Sequence, residues 1–176
     1  MAEQTQDPDA VLARYADGPD QLEAAIAGLT DANLDVAQTS DTWTIRQYTH
    51  HVVDGDDLWK TCIKAALGNS TDVFSLQWYW DKSQDTWAES WDYAGRAIEP
   101  SLVLFHANPR HVVQLLQQIP DAWERRVLVR WPNGQEAQLT VGYVVKMQAD
   151  HVMSHINDIL TIRRTYNLQP LIARGV

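Results

Sequence analysis

The sequence predicts an all-α fold: an antiparallel four-helix bundle with a small β-hairpin before the last helix, with residues 1–176 forming a single domain. Three observations predict it. Four long segments repeat apolar residues at helical spacing. Two of them open on a threonine placed to cap a helix. One stretch late in the chain breaks the helical period around an Asn-Gly pair.

The first helical pattern runs from about Asp9 to Leu29, with Val11, Leu12, Tyr15, Leu22, Ile26 and Leu29 on one stripe. Gly18-Pro19 interrupts it, which predicts a kink or a short break, because proline lacks the amide a helix needs. Residues 30–41 are polar, without a sustained period, and predict a connection. The second helix starts at Thr44-Ile45-Arg46-Gln47, a capping-box pattern in which the Thr hydroxyl and the Gln side chain satisfy each other's backbone amides. Ile45, Tyr48, Val52, Trp59, Ile63 and Leu67 follow at helical spacing, and Gly68-Asn69 ends the run, with glycine suited to a left-handed residue.

Residues 71–99 carry a weaker pattern, with one short helix expected around residues 85–96. A further helix begins at Pro100, suited to a first helical position, and carries Leu102, Val103, Phe105, Val112, Val113, Leu115, Leu116 and Ile119. Pro109 is expected to kink or split it near Asn108. Two short antiparallel strands should then flank Asn133-Gly134. Thr140 caps the last helix, whose stripe of Val141, Val144, Val145, Gln148, Val152, His155, Ile156, Ile159 and Ile162 runs to about Tyr166. Short connections between long amphipathic helices favour a bundle.

A chain of 176 residues, 45% hydrophobic and 21% charged, is long enough to bury a core without disulfides or metal. No apolar run approaches the roughly 20 residues of a membrane span, and the polar start Met1-Ala-Glu-Gln-Thr-Gln-Asp-Pro8 is unlike a signal peptide. A cytoplasmic protein is expected, with no membrane partner. Cys62 is the one cysteine, which excludes an internal disulfide framework and a Cys-rich zinc site. Fourteen basic against 23 acidic residues give a net charge of −9, the wrong sign for a protein that neutralises phosphates, so nucleic acid is not an expected partner. Five of the eight tryptophans, Trp59, Trp78, Trp80, Trp87 and Trp91, fall within 33 positions. They suit core packing first and a pocket wall second.

The chemistry centres on His151 and His155. Four residues apart on a helix, their side chains lie one above the other and can share a metal ion. A catalytic transition-metal site generally takes three protein ligands and keeps one position open. His51 on the second helix is the third candidate; His50, rotated by about 100°, is expected at the boundary or surface. Gly55, one turn beyond His51, leaves space in front of the site. Asp54 and Asp158, each three residues after a candidate ligand, are placed to orient imidazoles. Imidazole donors suit Zn, Ni, Fe or Cu and not Ca or Mg.

Plainer readings stand beside these. Histidines four apart also occur as hydrogen-bonded core residues. The metalloprotease pattern His-Glu-x-x-His is absent, as is a nucleophile elbow. Cys62 suits a buried, inert thiol. His106 and His111, flanking Pro109, suit structural or surface positions.

Trp43-Thr-Ile-Arg-Gln-Tyr-Thr-His-His-Val-Val-Asp54 resembles the second-helix motif of the DinB-like superfamily, particularly its YfiT-like branch of metal-dependent hydrolases. Trp87-Ala-Glu-Ser-Trp91, Ser101-Leu-Val-Leu, Trp131-Pro-Asn-Gly134 and the pair His151 and His155 follow in that family's order, so the resemblance extends from about residue 10 to 166. It implies a four-helix bundle holding one divalent transition metal, Ni or Zn ahead of Fe, on His51, His151 and His155. It also implies a homodimer and a small-molecule substrate. The family's chemistry is hydrolysis or transfer of a low-molecular-weight thiol such as bacillithiol or mycothiol. The sequence departs from the family at Val152, where a further histidine often follows the first ligand of the last helix. The expectation is a metal-dependent enzyme of one of these two kinds. The alternative is a non-catalytic bundle that binds a small ligand or a protein, its metal structural or absent.

Overall fold

The computed structural model describes residues 7–168. The polar start of the sequence, apart from Asp7 and Pro8, lies outside the described residues.

Helix α1 (Pro8–Ile26) begins where the Asp7 carboxylate accepts the amide of Asp9. The expected break at Gly18-Pro19 does not occur; the helix runs through Pro19, and both residues are buried. Proline costs the helix one backbone hydrogen bond, and packing of Val11, Tyr15, Leu22 and Ile26 into the core on either side offsets it. The stretch expected as a plain connection contains a one-turn helix, α2 (Asp31–Leu34), closed by a capping box between Thr30 and Asn33 and anchored by buried Leu34.

Helix α3 (Ile45–Leu67) has the predicted capping box, with the Thr44 hydroxyl accepting the Gln47 amide at 3.2 Å and the Gln47 side chain accepting the Thr44 amide at 2.9 Å. Its end corrects the sequence expectation. Gly68 keeps φ −77° and Asn69 takes the left-handed conformation at φ 51°, a region asparagine tolerates better than most residues. Two short helices follow, α4 (Gln77–Trp80) and α5 (Gln84–Ser90), where one was expected over residues 85–96. Tyr79, Trp87 and Trp91 pack on one another there, with Tyr79 stacked on both tryptophans.

Helix α6 (Glu99–Gln118) also continues through its internal proline, Pro109, with Asn108, Pro109 and Val112 buried. Strands β1 (Arg126–Arg130) and β2 (Glu136–Thr140) form the hairpin in antiparallel register from Arg126↔Thr140 to Arg130↔Glu136. Gly134 in the turn has φ 78°, where a side chain would be strained. Thr140 then caps α7 (Val141–Thr165) by accepting the Tyr143 amide at 3.1 Å.

Helices α1, α3, α6 and α7 form the expected bundle: α6 and α7 each pack against both α1 and α3. One part of the core joins the hairpin residues Val127 and Val129 to Tyr15, Ile63, Val112, Val144 and Val145. The other gathers Leu22, Ile45, Val52, Phe105, Val152, Ile156 and Ile159. Among the described residues no helix is long and apolar enough to cross a membrane.

Candidate metal centre

The α3–α7 seam brings together the three histidines singled out from the sequence. Val52, beside His51, is fully buried, and Val152 and Ile156, beside His151 and His155, join it in the same cluster. These apolar neighbours fix the rotation of both helices, so the histidines project into the seam. One ligand nitrogen from each of His51, His151 and His155 lies within 4.8 Å of the other two, and they form the one such group among the described residues. The Nε2 atoms of His51 and His151 are 3.0 Å apart. Ring centroids are separated by 5.0 Å for His51–His151, 5.0 Å for His51–His155 and 4.7 Å for His151–His155.

Burial, and then the mutual repulsion of the rings, pushes the imidazoles of His51 and His151 down from 6.5 to about 3 and about 4. Both rings are therefore neutral at neutral pH, the form that binds metal. The Asp158 carboxylate accepts from His155 Nδ1 at 3.0 Å, which fixes the proton on Nδ1 and leaves Nε2 as a lone pair. The group, with three imidazole nitrogens converging, fits a divalent cation. A single proton shared between two Nε2 atoms satisfies one pair of rings, whereas a cation accepts a lone pair from each of the three.

The surroundings sharpen some expectations and correct others. A Cβ built on Gly55 would lie 3.2 Å from His151 Cε1, so the glycine's lack of a side chain gives the His151 ring its room. Asp158 takes the orienting role expected of it. Asp54 does not: it pairs with Arg96 at 3.1 Å, and His51 Nδ1 is buried without a hydrogen-bond partner. The Trp43 ring packs edge-on against His51 at 4.7 Å, held by a 2.7 Å hydrogen bond from its indole to Asp85. Tyr48 lies against His155 at 5.2 Å.

His50 departs furthest from expectation. It is fully buried, not at the boundary, because α6 covers that face of α3. Its Nε2 donates to the Arg96 carbonyl at 3.3 Å and its Nδ1 accepts from the Ser101 hydroxyl at 2.9 Å. Cys62 is buried, and desolvation raises its thiol to about 12, the inert behaviour expected of it. His106 faces Glu23 at 3.0 Å and Asp20 at 3.8 Å on α1, and His111 is exposed.

A cleft of about 280 Å³ opens beside the histidines, lined by His51, His151, Gly55, Trp59, Trp80 and Gln148 among others. Among the described residues, no lysine, arginine, aspartate or glutamate lines it. The tryptophans thus divide their labour, with Trp59 and Trp80 in the cleft wall and Trp87 and Trp91 in the packing against Tyr79. Sequence reasoning did not single out Trp43 or Tyr48 as supports, or Gln148 as a wall residue. The signal for Gln148 was available: with His155 it is one of two polar residues on a helical stripe that is otherwise apolar.

Comparison with known proteins bears on the fold and the family. A protein of Geobacillus thermodenitrificans named "Putative metal-dependent hydrolase" is 25% identical over 153 residues, covering 87% of this chain and 82% of that protein. A similarly named protein of Geobacillus kaustophilus is 25% identical over 146 residues, covering 83% and 78%. The solved structure of YfiT from Bacillus subtilis, described as "a probable metal-dependent hydrolase with an unusual four-helix bundle topology", superposes with a TM-score of 0.80. It is 20% identical and covers 96% of this chain and 92% of its own. The sequence model of the DinB superfamily matches residues 14–159, and the chain belongs to that superfamily.

Proposed function

We propose that the protein is a metal-dependent hydrolase of a small molecule, with one divalent transition metal, Ni or Zn ahead of Fe, held by His51, His151 and His155. The observation that carries this reading is the convergence of three ligand nitrogens within 4.8 Å, two of them on residues, His51 and His151, that line a cleft large enough for a small ligand. The relatives' names support it, since similar proteins are named as metal-dependent hydrolases.

When bound, such a metal supplies Lewis acidity and activates water for attack. The chain's own residues do the rest. Asp158 holds the His155 ring by its Nδ1 proton. Trp43 braces His51. Gly55 admits the His151 ring, and Trp59 and Trp80 present apolar surface to the substrate. A thiol-transfer reaction would use the same three ligands. Among the described residues the cleft wall offers no cation to a carboxylate-bearing thiol such as bacillithiol, which disfavours that co-substrate, and the relatives' names favour hydrolysis. Neither a thiol co-substrate nor homodimerisation is required by this reading.

The test is metal analysis of protein purified without a chelating tag, followed by an ester and amide hydrolysis screen before and after chelation. About one equivalent of metal, with activity lost on stripping and restored on reloading, is the expected result. Full metal content in both His51→Ala and His155→Ala would remove the proposed ligand set. An unchanged melting temperature after chelation, with no hydrolysis, would favour a non-catalytic ligand-binding bundle.

A further inference from the structure

Gln148 is 3% exposed, and no hydrogen bond to its side chain is present among the described residues. Its carbonyl oxygen is buried without a partner. A buried carboxamide left unpaired is destabilising, because it has given up water for nothing in return. Such groups are rare enough in folded proteins that each calls for a cause. Here the cause has a location, since Gln148 lines the same cleft as His51 and His151 and precedes His151 by three residues, less than one turn of α7. The second glutamine of the cleft is different. Gln84 accepts the Tyr79 hydroxyl at 2.6 Å and is already held in place.

The rest of the wall limits what can sit against Gln148. Trp59, Trp80, Leu58 and Met147 are apolar, and no charged side chain among the described residues lines the cleft. An anionic or cationic group lying away from the histidines would therefore be desolvated without compensation. A carboxamide presents a donor and an acceptor side by side, and the group that pairs with both is another amide. A cleft of about 280 Å³ falls just under the usual range for drug-sized ligands, so the remainder of the ligand is small.

We propose that Gln148 is the specificity residue of this cleft, pairing through its carboxamide with an amide group of a small, uncharged, apolar substrate seated along Trp59 and Trp80. The inference rests on the metal-dependent hydrolase reading for the reaction, but its own content is recognition. A site built to hydrogen-bond a polar group rejects the isostere that lacks it, because its own buried groups are then left unpaired.

Benzamide and acetophenone make a suitable pair of probes: both are flat, neutral and of nearly equal size, and only benzamide carries the amide NH₂. Titration of the purified full-length protein, followed by quenching of tryptophan fluorescence and by ligand-observed NMR, should show benzamide binding about tenfold or more tighter. In Gln148→Leu and in the longer Gln148→Met that ratio should fall to near one, through weaker benzamide binding. Ligand-free melting temperatures of the two variants should be no lower than that of the wild type, since an unpaired buried amide has been replaced by an apolar group. A loss of stability would instead mark Gln148 as a structural hydrogen-bonding residue and overturn the proposal. So would equal binding of the two probes by the wild type, or a preference that survives in both variants. Metal content measured on the same samples reports separately on the hydrolase reading, because the probe ratio in the wild type is read without any turnover.

Discussion

His50 and His51 are neighbours on α3, and both are buried, but they belong to different kinds of environment. His50 faces α6, where both of its ring nitrogens are paired, with the Ser101 hydroxyl and the Arg96 carbonyl. His51 faces α7, where its Nε2 meets another imidazole and its Nδ1 meets nothing that hydrogen-bonds. Burial does not distinguish a structural histidine from a ligand; the completeness of its hydrogen bonding does. A ring satisfied by the protein at both nitrogens has no lone pair to give. Rings aimed at one another, with one of their protons already given to Asp158, have lone pairs that the protein does not fill.

The largest expected contrast comes from deleting each ring. His51→Ala should lower bound metal from about one equivalent to near none, while His50→Ala keeps it. Stability should follow the opposite order. Removing His50 leaves the Ser101 hydroxyl and the Arg96 carbonyl without their partner and opens a cavity in a fully buried position, a loss of about 2–4 kcal/mol. Removing His51 from metal-free protein should cost about 1 kcal/mol or less, since the ring borders a cleft and has an unpaired nitrogen. Metal analysis and urea denaturation of the two variants decide the matter, and metal loss in His50→Ala would collapse the distinction.

Support for the ligand set is the next target. Asp158→Asn keeps the shape of the side chain but weakens the hold on the His155 Nδ1 proton, and metal affinity should fall about 10- to 100-fold. Because Asp158 is substantially exposed, folding stability should hardly move. Competition with a colorimetric chelator measures the first, and thermal melting the second.

Gly55→Ala should act in two directions. Alanine favours a helix over glycine by about 1 kcal/mol, so the metal-free protein should be slightly more stable. The new Cβ would stand 3.2 Å from His151 Cε1, and the ring must yield by a few tenths of an ångström, lowering metal affinity about tenfold. A variant more stable and equally tight for metal would show that Gly55 is not reserved for the ring.

Much of this was legible in the sequence because the signals were local. The capping box at Thr44 and the threonine cap at residue 140 use contacts within four residues, as does the Asn133-Gly134 turn, and each appears where the pattern places it. His51, His151 and His155 were singled out by helical spacing, which puts them on or beside the inward stripes, together with the resemblance to the family's second-helix motif. What escaped depended on distant segments. His50 falls midway between the stripe residues Tyr48 and Val52 and would face solvent if α6 did not cover it. Pro19 and Pro109 break helices in isolation, but here the surrounding residues are packed from several sides. Asp54 has the spacing of an orienting carboxylate and is taken instead by Arg96, 42 residues away. The helical turns between residues 77 and 90 are held by aromatic stacking that a periodicity of 3.6 does not describe.

The smallest expected effect is on the pH dependence of folding, and it tests burial apart from ligation. In the unfolded chain histidines take up protons near 6.5, while in the metal-free fold His51 waits until about 3 and His151 until about 4. Burial lowers His50 as well. Below 6.5 the unfolded state therefore binds more protons than the folded state, so stability is whole above that pH and declines on acidification toward 4. The slope is at most about 1.4 kcal/mol per pH unit for each histidine. Asp56 opposes it. Its buried carboxyl, raised from 3.8 to about 6, keeps a proton in the fold that the unfolded chain sheds, so its contribution is full below 3.8 and fades as the pH rises through 6. Asp56→Asn should steepen the acid decline, whereas His50→Ala and His51→Ala should each make it shallower. Urea midpoints of chelated protein between pH 5 and pH 7 measure all three. A similar flattening by the two histidine variants, set beside their unequal effect on metal content, would show that desolvation fixes the proton affinity of both rings. The partners each ring lacks would then be what fixes its role.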